Sequence, residues 1–346
     1  MGKDILSMLP KELEAEFAAL GEPKFRAGQV FQWLSRGVRD FDSMTNLSKP
    51  LREKLKSEYF LYKPKVLSKQ VSAIDGTIKY LWELRDGNAV ETVVMSYKHG
   101  NTVCVSSQVG CRQGCAFCAS TIGGLVRSLE PSEILDEVIY SELDSGKPIS
   151  NIVLMGIGEP LDNYDNVMRF LELVNHPKGV NIGMRHISLS TCGVIERFDD
   201  LADRDLQLTL SVSLHAPDDE TRSAIMPANR GESRGVENLI RACRRYYEKT
   251  GRRISFEYAM IDGVNDSIEQ AQLLSKHARA VSAHVNLIPL NHVEERRFQP
   301  SKPENMKAFI KTLEDNGVNV TVRRKLGGDV DASCGQLRRK MQVKEK

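Results

Sequence analysis

The chain has 346 residues, of which 41% are apolar, and this composition provides a large core and excludes a disordered protein. The chain has 48 Lys and Arg residues against 46 Asp and Glu residues, and its net charge of +2 does not indicate a class of partner. Only local clusters of charge can do so. No run of about 18 apolar residues could cross a bilayer and no basic-then-apolar leader is present, so we expect a cytoplasmic protein without a membrane partner.

Residues 1–65 have the pattern of a small helical module. Amphipathic stretches at 10–20, 27–36 and 49–59 predict three short helices. Two basic clusters suit a polyanion, although a solvated surface explains either one equally well. The first cluster comprises Lys49, Arg52, Lys54, Lys56, Lys63 and Lys65, and the second comprises Arg323, Arg324, Lys325, Arg338, Arg339 and Lys340.

From residue 66 to residue 100 apolar and polar residues alternate, which is the period of a β-strand. Segments 77–85 and 89–96 flank Asp86-Gly87, and an Asp-Gly pair is a common hairpin turn. We therefore predict a β-hairpin extension between the helical module and the rest of the chain.

Residues 101–340 alternate between apolar strands and amphipathic helices, and residues 341–346 form a basic tail. Repeated units of this kind predict an α/β fold with a parallel sheet, and their number indicates a full or partial (β/α) barrel. Such folds place their chemistry where the strands end. The predicted strands are 102–106, 151–155, 186–190, 208–213, 254–260, 284–288 and 318–322, and the predicted helices are 132–143, 163–174, 235–249, 267–280 and 303–316.

Three cysteines, Cys111, Cys115 and Cys118, are spaced closely enough to bind one metal centre. A C-x3-C-x2-C triplet supplies three thiolates to a cluster of four irons and leaves one iron open to another ligand. Electron-transfer ferredoxins close that position with a fourth cysteine, and structural zinc needs a closed tetrahedron. The spacing therefore favours a catalytic [4Fe-4S] cluster.

The segment Gly156-Ile-Gly-Glu-Pro160 follows a predicted strand. Its glycines allow a ligand to approach the backbone, and Glu159 offers a carboxylate to an ammonium group. An ordinary turn is an equally good explanation of this segment alone. Beside an open iron, the segment indicates a ligand that bears an amino acid group, and S-adenosylmethionine (SAM) is such a ligand.

Four further residues are candidates for chemistry. Cys104 and Cys334 lie in polar, glycine-containing settings, unlike Cys192 and Cys243, which we interpret as small buried hydrophobic residues. Glu91 is a carboxylate in an apolar strand. It is either a general acid or base in the reaction, or a residue whose side chain faces outward from the strand. His215 ends a strand beside Ser213. It is either a residue with a chemical role or a hydrogen-bonded residue at the rim of the sheet.

The chain resembles the radical SAM adenine methyltransferases of RNA, and most closely the RlmN group. The resemblance extends from the helical module to about Leu337. It is carried by Cys104-Val-Ser-Ser-Gln before the triplet, Gly-Ile-Gly-Glu-Pro-Leu161, Ser190-Thr-Cys-Gly193, Ser-Leu-His-Ala-Pro217, Ile-Met-Pro-Ala-Asn229 and Asp331-Ala-Ser-Cys-Gly-Gln336.

The resemblance implies roles for individual residues. Cys111, Cys115 and Cys118 are expected to ligate the cluster, and the residues expected to hold SAM are Gly158, Glu159, Ser190, Ser213, Leu214, His215 and Asn291. Cys334 is expected to take a methyl group from one SAM, while a second SAM yields the radical that activates this methyl group for attack on adenine. Cys104 is expected to resolve the crosslink as a disulfide, with Glu91 as the proton acceptor.

The implied product is adenine methylated at C2, whereas the related Cfr group methylates C8. The implied partners are 23S rRNA near the peptidyl-transferase centre, tRNA near the anticodon, an electron donor and a disulfide reductant, and we expect a monomer. Three other functions remain open. They are another radical SAM activase or oxidoreductase, an electron-transfer or metal-storage protein, and an RNA-binding module with structural zinc.

Overall fold

The computed structural model describes residues 2–231, 234–291, 293, 295–330 and 335–338. The strands in these ranges are β1 (Lys3–Asp4), β2 (Tyr59–Phe60), β3 (Lys65–Val71), β4 (Ile78–Glu83), β5 (Ala89–Tyr97), β6 (Gly100–Cys104), β7 (Gln108–Gly110), β8 (Leu125–Ser128), β9 (Ile149–Leu154), β10 (Ile187–Thr191), β11 (Thr209–Ser213), β12 (Ser255–Met260), β13 (His284–Pro289) and β14 (Val320–Val322). The α-helices are α1 (Pro10–Ala19), α2 (Phe25–Ser35), α3 (Lys49–Glu58), α4 (Pro131–Ser145), α5 (Tyr164–Asn175), α6 (Phe198–Asp203), α7 (Asp219–Ile225), α8 (Val236–Thr250), α9 (Ile268–Ala280) and α10 (Pro303–Asp315).

Ten of the described strands form one sheet, in the order β14-β13-β12-β11-β10-β9-β6-β5-β4-β3. All neighbours from β6 to β14 pair in parallel, with helices in the connections between them. This alternation confirms the predicted α/β fold with a partial barrel. Because the strands are parallel, their carboxyl ends meet at one edge.

The predicted hairpin is present and continues the main sheet. Strand β5 pairs antiparallel with β6, and β4 and β3 follow it outward. Strand β3 was not predicted as a full strand, and the short pair β7 and β8 that flanks the cysteine triplet was missed. Helices α6 and α7 were also missed, because six and seven residues are too few to show a helical period.

The helices of the amino-terminal module form where the sequence predicted them, and sequence signals fix their ends. Pro10 begins α1, and the Glu12 carboxylate accepts the backbone N–H of Leu9 at 2.7 Å. The Ser48 hydroxyl caps α3 by accepting the N–H of Leu51 at 3.4 Å. The apolar faces of these helices share one contiguous core with α4 and α5.

Polar contacts also fix the amino-terminal module to the barrel. Arg39 pairs with Asp136 of α4, and both side chains are less than 10% exposed. Burial raises the pKa of Asp136 to about 6, although the Arg39 guanidinium opposes that rise. The Tyr140 hydroxyl donates to the carbonyl of Gly37 at 2.8 Å.

Among the described helices, none is long and apolar enough to cross a membrane.

Candidate active site

The carboxyl ends of β9 to β13 surround a cavity of about 270 Å³. Ten residues were predicted from the sequence to hold the cluster and SAM, and nine of them line this cavity. These nine are Cys111, Cys115, Cys118, Gly158, Glu159, Ser190, Ser213, His215 and Asn291. The tenth, Leu214, is fully buried and its side chain does not line the cavity. Residues spread over 181 positions of the chain therefore meet at the predicted edge of the sheet.

The cysteine triplet lies in a loop that internal hydrogen bonds hold closed. The N–H of Cys111 donates to the carbonyl of Gly124 at 3.1 Å. The Thr121 hydroxyl is within hydrogen-bond distance of two carbonyl oxygens to which it can donate, that of Cys115 at 3.1 Å and that of Cys118 at 3.0 Å. The N–H of Ala116 donates to the carbonyl of Ile225, at the end of α7, at 2.8 Å. The loop is therefore anchored at its base, at its tip and to a neighbouring helix.

The environment of the three thiols fits a metal cluster. Burial raises the pKa of Cys111 to about 12, and it also raises the pKa of Cys115, to which the other two thiols contribute. Iron bound to such thiols replaces the proton and removes the cost of a bare buried thiolate. Among the described residues, no three His, Cys, Asp or Glu side chains converge on a single ion. A cuboidal cluster needs no such convergence, because each thiolate binds a different iron.

The glycine-rich turn after β9 lies directly against the strand that precedes the triplet. A Cβ atom at Gly158, where φ is +110°, would lie 2.6 Å from Cβ of Gln108, so only glycine fits. The Glu159 carboxylate is buried and accepts the backbone N–H groups of Cys192 at 2.7 Å and Leu161 at 3.0 Å. Burial raises the pKa of Glu159, and these two bonds oppose the rise. Glu159 therefore presents a fixed acceptor at the cavity wall.

His215 lies two residues after β11, with φ at +56°, in the left-handed region. Its Nδ1 accepts the N–H of Ala259 at 2.9 Å, which leaves the proton on Nε2. Burial lowers the pKa of His215 to about 3, and the Arg222 cation contributes to that shift. The imidazole is therefore neutral at physiological pH and offers the cavity a hydrogen-bond donor.

Two serines extend this polar wall. Ser190 and Ser213 occupy neighbouring parallel strands, and their hydroxyl oxygens are 3.4 Å apart. Glu257 of β12 also lines the cavity; burial raises its pKa, and Asn286 donates to it at 2.7 Å. Glu257 was not predicted from the sequence, although a carboxylate inside an apolar strand was a usable signal.

Arg222 of α7 is a second residue that was not predicted from the sequence. Its guanidinium is buried and donates to the carbonyls of Cys192 at 2.6 Å and Leu214 at 3.0 Å, and to Asn229 at 2.6 Å. These bonds join the carboxyl ends of β10 and β11 to the helix that holds the cysteine loop. Burial lowers the pKa of Arg222. No local sequence pattern indicates this role, because two of these partners are backbone carbonyls, which any residue could supply.

A second cavity adjoins the first. Cys104, at the end of β6, lines it together with Gln336. Arg323, Arg324 and Lys325 make its rim basic, and Asn291 and Arg323 line both cavities. Cys334 and the basic tail, together with Arg339 and Lys340, lie outside the described residues. Gln336, two positions after Cys334, reaches the cavity of Cys104.

Glu91 is buried, so the alternative of an outward-facing position is wrong. Its carboxylate pairs with Lys79 at 2.8 Å and accepts the N–H groups of Gly335 at 2.7 Å and Arg338 at 2.6 Å.

Cys192 and Cys243 are buried, as interpreted from the sequence.

Comparisons with protein-family models and curated proteins give consistent results. Residues 105–274 match the radical SAM superfamily, and residues 3–61 match the ribosomal RNA large subunit methyltransferase N-terminal domain. A protein of Lachnoclostridium phytofermentans described as a probable dual-specificity RNA methyltransferase RlmN is 50% identical over 97% of this chain and 94% of its own length. A protein of Desulforamulus reducens with the same description is 52% identical over 96% of this chain and 95% of its own length.

Solved structures support the same relationship. A radical SAM methyltransferase from Sphaerobacter thermophilus superimposes with a TM-score of 0.91 at 41% identity, over 96% of this chain and 98% of that chain. SuiB of Streptococcus suis, solved with bound SAM, has a TM-score of 0.50 at 14% identity, over 64% of this chain and 50% of that chain, and shares the fold alone.

Proposed function

The chain belongs to the RlmN family of radical SAM methyltransferases, and from that premise we propose that it methylates C2 of adenine in 23S rRNA and in tRNA. The observation that carries the proposal is the pair of adjoining cavities. One gathers the cysteine triplet and the strand-end residues, and the other joins Cys104 to a basic rim. The first suits radical generation and the second suits an RNA base.

In the first cavity, Cys111, Cys115 and Cys118 hold a [4Fe-4S] cluster. Gly158, Glu159, Ser190, Ser213, His215 and Asn291 line this cavity and would hold SAM, whereas the Leu214 side chain is buried and would act only by supporting its neighbours Ser213 and His215. When bound, the cluster supplies one electron that cleaves SAM to methionine and a 5′-deoxyadenosyl radical. The chain's own part is to orient SAM. The neutral His215 and the two serines offer N–H and hydroxyl groups, and the Glu159 carboxylate would accept a hydrogen bond from the ammonium group of SAM.

Cys334 carries the methyl group. Its thiolate displaces S-adenosylhomocysteine from one SAM and becomes S-methylcysteine. The S-methyl group of Cys334 would give up one hydrogen atom to the 5′-deoxyadenosyl radical that a second SAM supplies, and Cys334 would then carry a methylene radical beside 5′-deoxyadenosine. The methylene carbon then bonds to C2 of adenine. The adduct would then lose the C2 proton to Glu91 and one electron, which would return to the cluster held by Cys111, Cys115 and Cys118 and replace the electron used to cleave SAM.

Cys104 releases the product. Its thiolate attacks the sulfur of Cys334, the bond between that sulfur and the methylene carbon breaks, and the carbon takes up a proton to become methyl. The two cysteines remain as a disulfide, which a thiol reductant must open with two electrons and two protons. Two SAM molecules are used per turnover. The route is needed because the electron-poor C2 carbon resists a simple methyl cation donor.

RNA is the proposed macromolecular partner. Arg324 and Lys325 are exposed at the rim of the cavity of Cys104, where phosphates of a flipped nucleotide could be bound. Residues 3–61 match an N-terminal domain of ribosomal RNA methyltransferases, and exposed basic residues of this module, such as Lys11, Lys24 and Lys49, are a second place where phosphates could be bound. We propose that the enzyme acts in the cytoplasm as a monomer, with an external electron donor.

Mass-spectrometric nucleoside analysis tests the proposal. Cluster-reconstituted protein, SAM, a reductant and RNA lacking the modification should give 2-methyladenosine in both 23S rRNA and tRNA. Product in only one RNA would restrict the substrate set. Formation of 8-methyladenosine would instead support a Cfr-type activity, and absence of any methyladenosine would contradict RNA methylation by this protein.

A further inference from the structure

Lys79 lies in β4 with its side chain fully buried. Its Nζ is 2.8 Å from Oε2 of Glu91 on the neighbouring strand, and the Glu91 side chain is only 2% exposed. The strand register places Glu91 opposite Leu81 and Val93 opposite Lys79, so the two charged groups are diagonal neighbours on one face. Burial of an ion pair is costly, and such a pair is better explained by a geometric requirement than by stability.

The geometric requirement is visible at the other partners of Glu91. Its Oε2 also accepts the N–H of Gly335 at 2.7 Å, and its Oε1 accepts the N–H of Arg338 at 2.6 Å. These backbone groups lie 244 and 247 positions after Glu91. One carboxylate, held by one ammonium group, therefore fixes both ends of the described segment 335–338 on the hairpin.

The opposite side of this segment contacts the cysteine loop. A Cβ atom added to Gly335, where φ is +80°, would lie 2.6 Å from the backbone nitrogen of Ser120. Ser120 comes two residues after Cys118. Gly335 is therefore packed between the Glu91 carboxylate and the loop of the cluster cysteines, with no space for a side chain.

We propose that Lys79 is a positioning residue that acts through Glu91: it holds Gly335 and Arg338 in place, and Gly335 is the residue bonded to Cys334. The peptide bond joins Cys334 to Gly335, so whatever fixes Gly335 limits where the Cys334 sulfur can lie. The Lys79 ammonium neutralises and orients the Glu91 carboxylate. Without it, the carboxylate is a buried charge that lacks its ammonium partner, and the orientation in which it accepts both N–H groups is no longer fixed. This inference rests on the proposed role of Cys334 as methyl carrier.

The test compares Lys79→Met with Lys79→Arg and wild type in cluster-reconstituted protein. The first readout is the rate at which iodoacetamide alkylates Cys334, followed by peptide mass spectrometry. The second is kcat and KM for RNA methylation. We expect Lys79→Met to alkylate faster and to lose about 100-fold in kcat, because a displacement of about 1 Å at a reacting group has this effect. Lys79→Arg should restore a large part of both.

Lys69→Met is the control, because Lys69 lies on the neighbouring strand and pairs with Asp144, but both side chains are partly exposed. It should leave the alkylation rate and kcat unchanged. A Lys79→Met protein that is less stable but has the alkylation rate and kcat of wild type would overturn the proposal, because its effect would then be structural only.

A second variant keeps the test decisive if Lys79→Met does not fold. Gly335→Ala displaces the same segment from the side of Ser120 and leaves the ion pair intact. It should also accelerate Cys334 alkylation and lower kcat, and wild-type values for both would overturn the proposal that this segment positions Cys334. If wild type itself makes no methyladenosine, the proposed function fails, whereas the alkylation rates still test whether Lys79 fixes Cys334.

Discussion

Glu91 and Gly335 lie 244 positions apart, yet Glu91 Oε2 accepts the backbone N–H of Gly335 at 2.7 Å. This bond connects the antiparallel hairpin to the carboxyl-terminal segment, and the same segment packs on the loop of the cysteine triplet. The hairpin is therefore part of the candidate active site, and substitutions within the sheet as well as around the cavities should change its properties.

Arg222 should stabilise the walls of the first cavity. Arg222→Met removes donors from the carbonyls of Cys192 and Leu214 and from Asn229. We expect a loss of about 3 kcal/mol in the free energy of unfolding, because buried acceptors are left without donors. Weaker SAM binding should accompany this loss, since the carboxyl ends of β10 and β11 are no longer joined to α7 by the Arg222 side chain. Urea unfolding and equilibrium dialysis with SAM measure the two effects.

Arg245→Met is the matched control for this prediction. Arg245 pairs with Asp199 at 3.3 Å, and both side chains are more than half exposed. Exposed ion pairs contribute about 0 to 1 kcal/mol, so the control should stay close to wild type in stability. Equal effects of the two substitutions would contradict the role given to Arg222.

His215 should make the stability of the protein depend on pH. Burial, with a contribution from Arg222, lowers the pKa of His215 to about 3 in the folded protein, below the ordinary value near 6.5. As the pH falls below about 6.5, the unfolded chain binds a proton that the folded protein does not. The stabilisation from this group is therefore complete above that pH and decreases on acidification, by up to about 1.4 kcal/mol per pH unit.

Urea unfolding of wild type and His215→Gln between pH 5 and pH 7 measures this effect. The stability difference between the two proteins should change across that range, because glutamine does not titrate. A pH-independent difference would show that His215 is protonated to the same extent in the folded and unfolded protein.

The basic rim of the second cavity should contribute to RNA affinity. The double substitution Arg324→Gln, Lys325→Gln should weaken RNA binding. It should also reduce the slope of log affinity against log salt by about 0.7 for each phosphate that the protein no longer neutralises. Fluorescence anisotropy at several salt concentrations measures the slope. Arg241→Gln, Arg244→Gln on α8 removes two exposed cations that line neither cavity, and an equal effect of that control would contradict a specific role for the rim.

The sequence predicted the parts of the site that depend on local order. The cysteine spacing, Gly158, Glu159 and His215 are adjacent to strand ends or to each other, and a parallel sheet necessarily brings those ends together. Leu214 is next to His215 in the chain, but both residues follow the last residue of β11, and the Leu214 side chain packs in the hydrophobic core instead of lining the cavity.

The parts that the sequence did not predict depend on which side chains and carbonyl groups the fold buries against each other. Lys79 looks like any lysine in a hairpin, and only the fold shows that it is buried beside Glu91. Arg222 is one of many arginines, and two of its partners are backbone carbonyls that have no sequence signature. In both cases the role becomes visible only when the fold brings the partners together, which periodicity and spacing do not report.

The central claim, that Cys334 carries the transferred carbon and Cys104 releases it, is tested most directly with Cys104→Ala. The variant is incubated with SAM, a reductant and RNA, then digested with nuclease and protease for mass spectrometry. We predict a Cys334 peptide bonded through a methylene carbon to adenosine, with little free methyladenosine. An unmodified Cys334 peptide together with wild-type amounts of free methyladenosine would contradict the account.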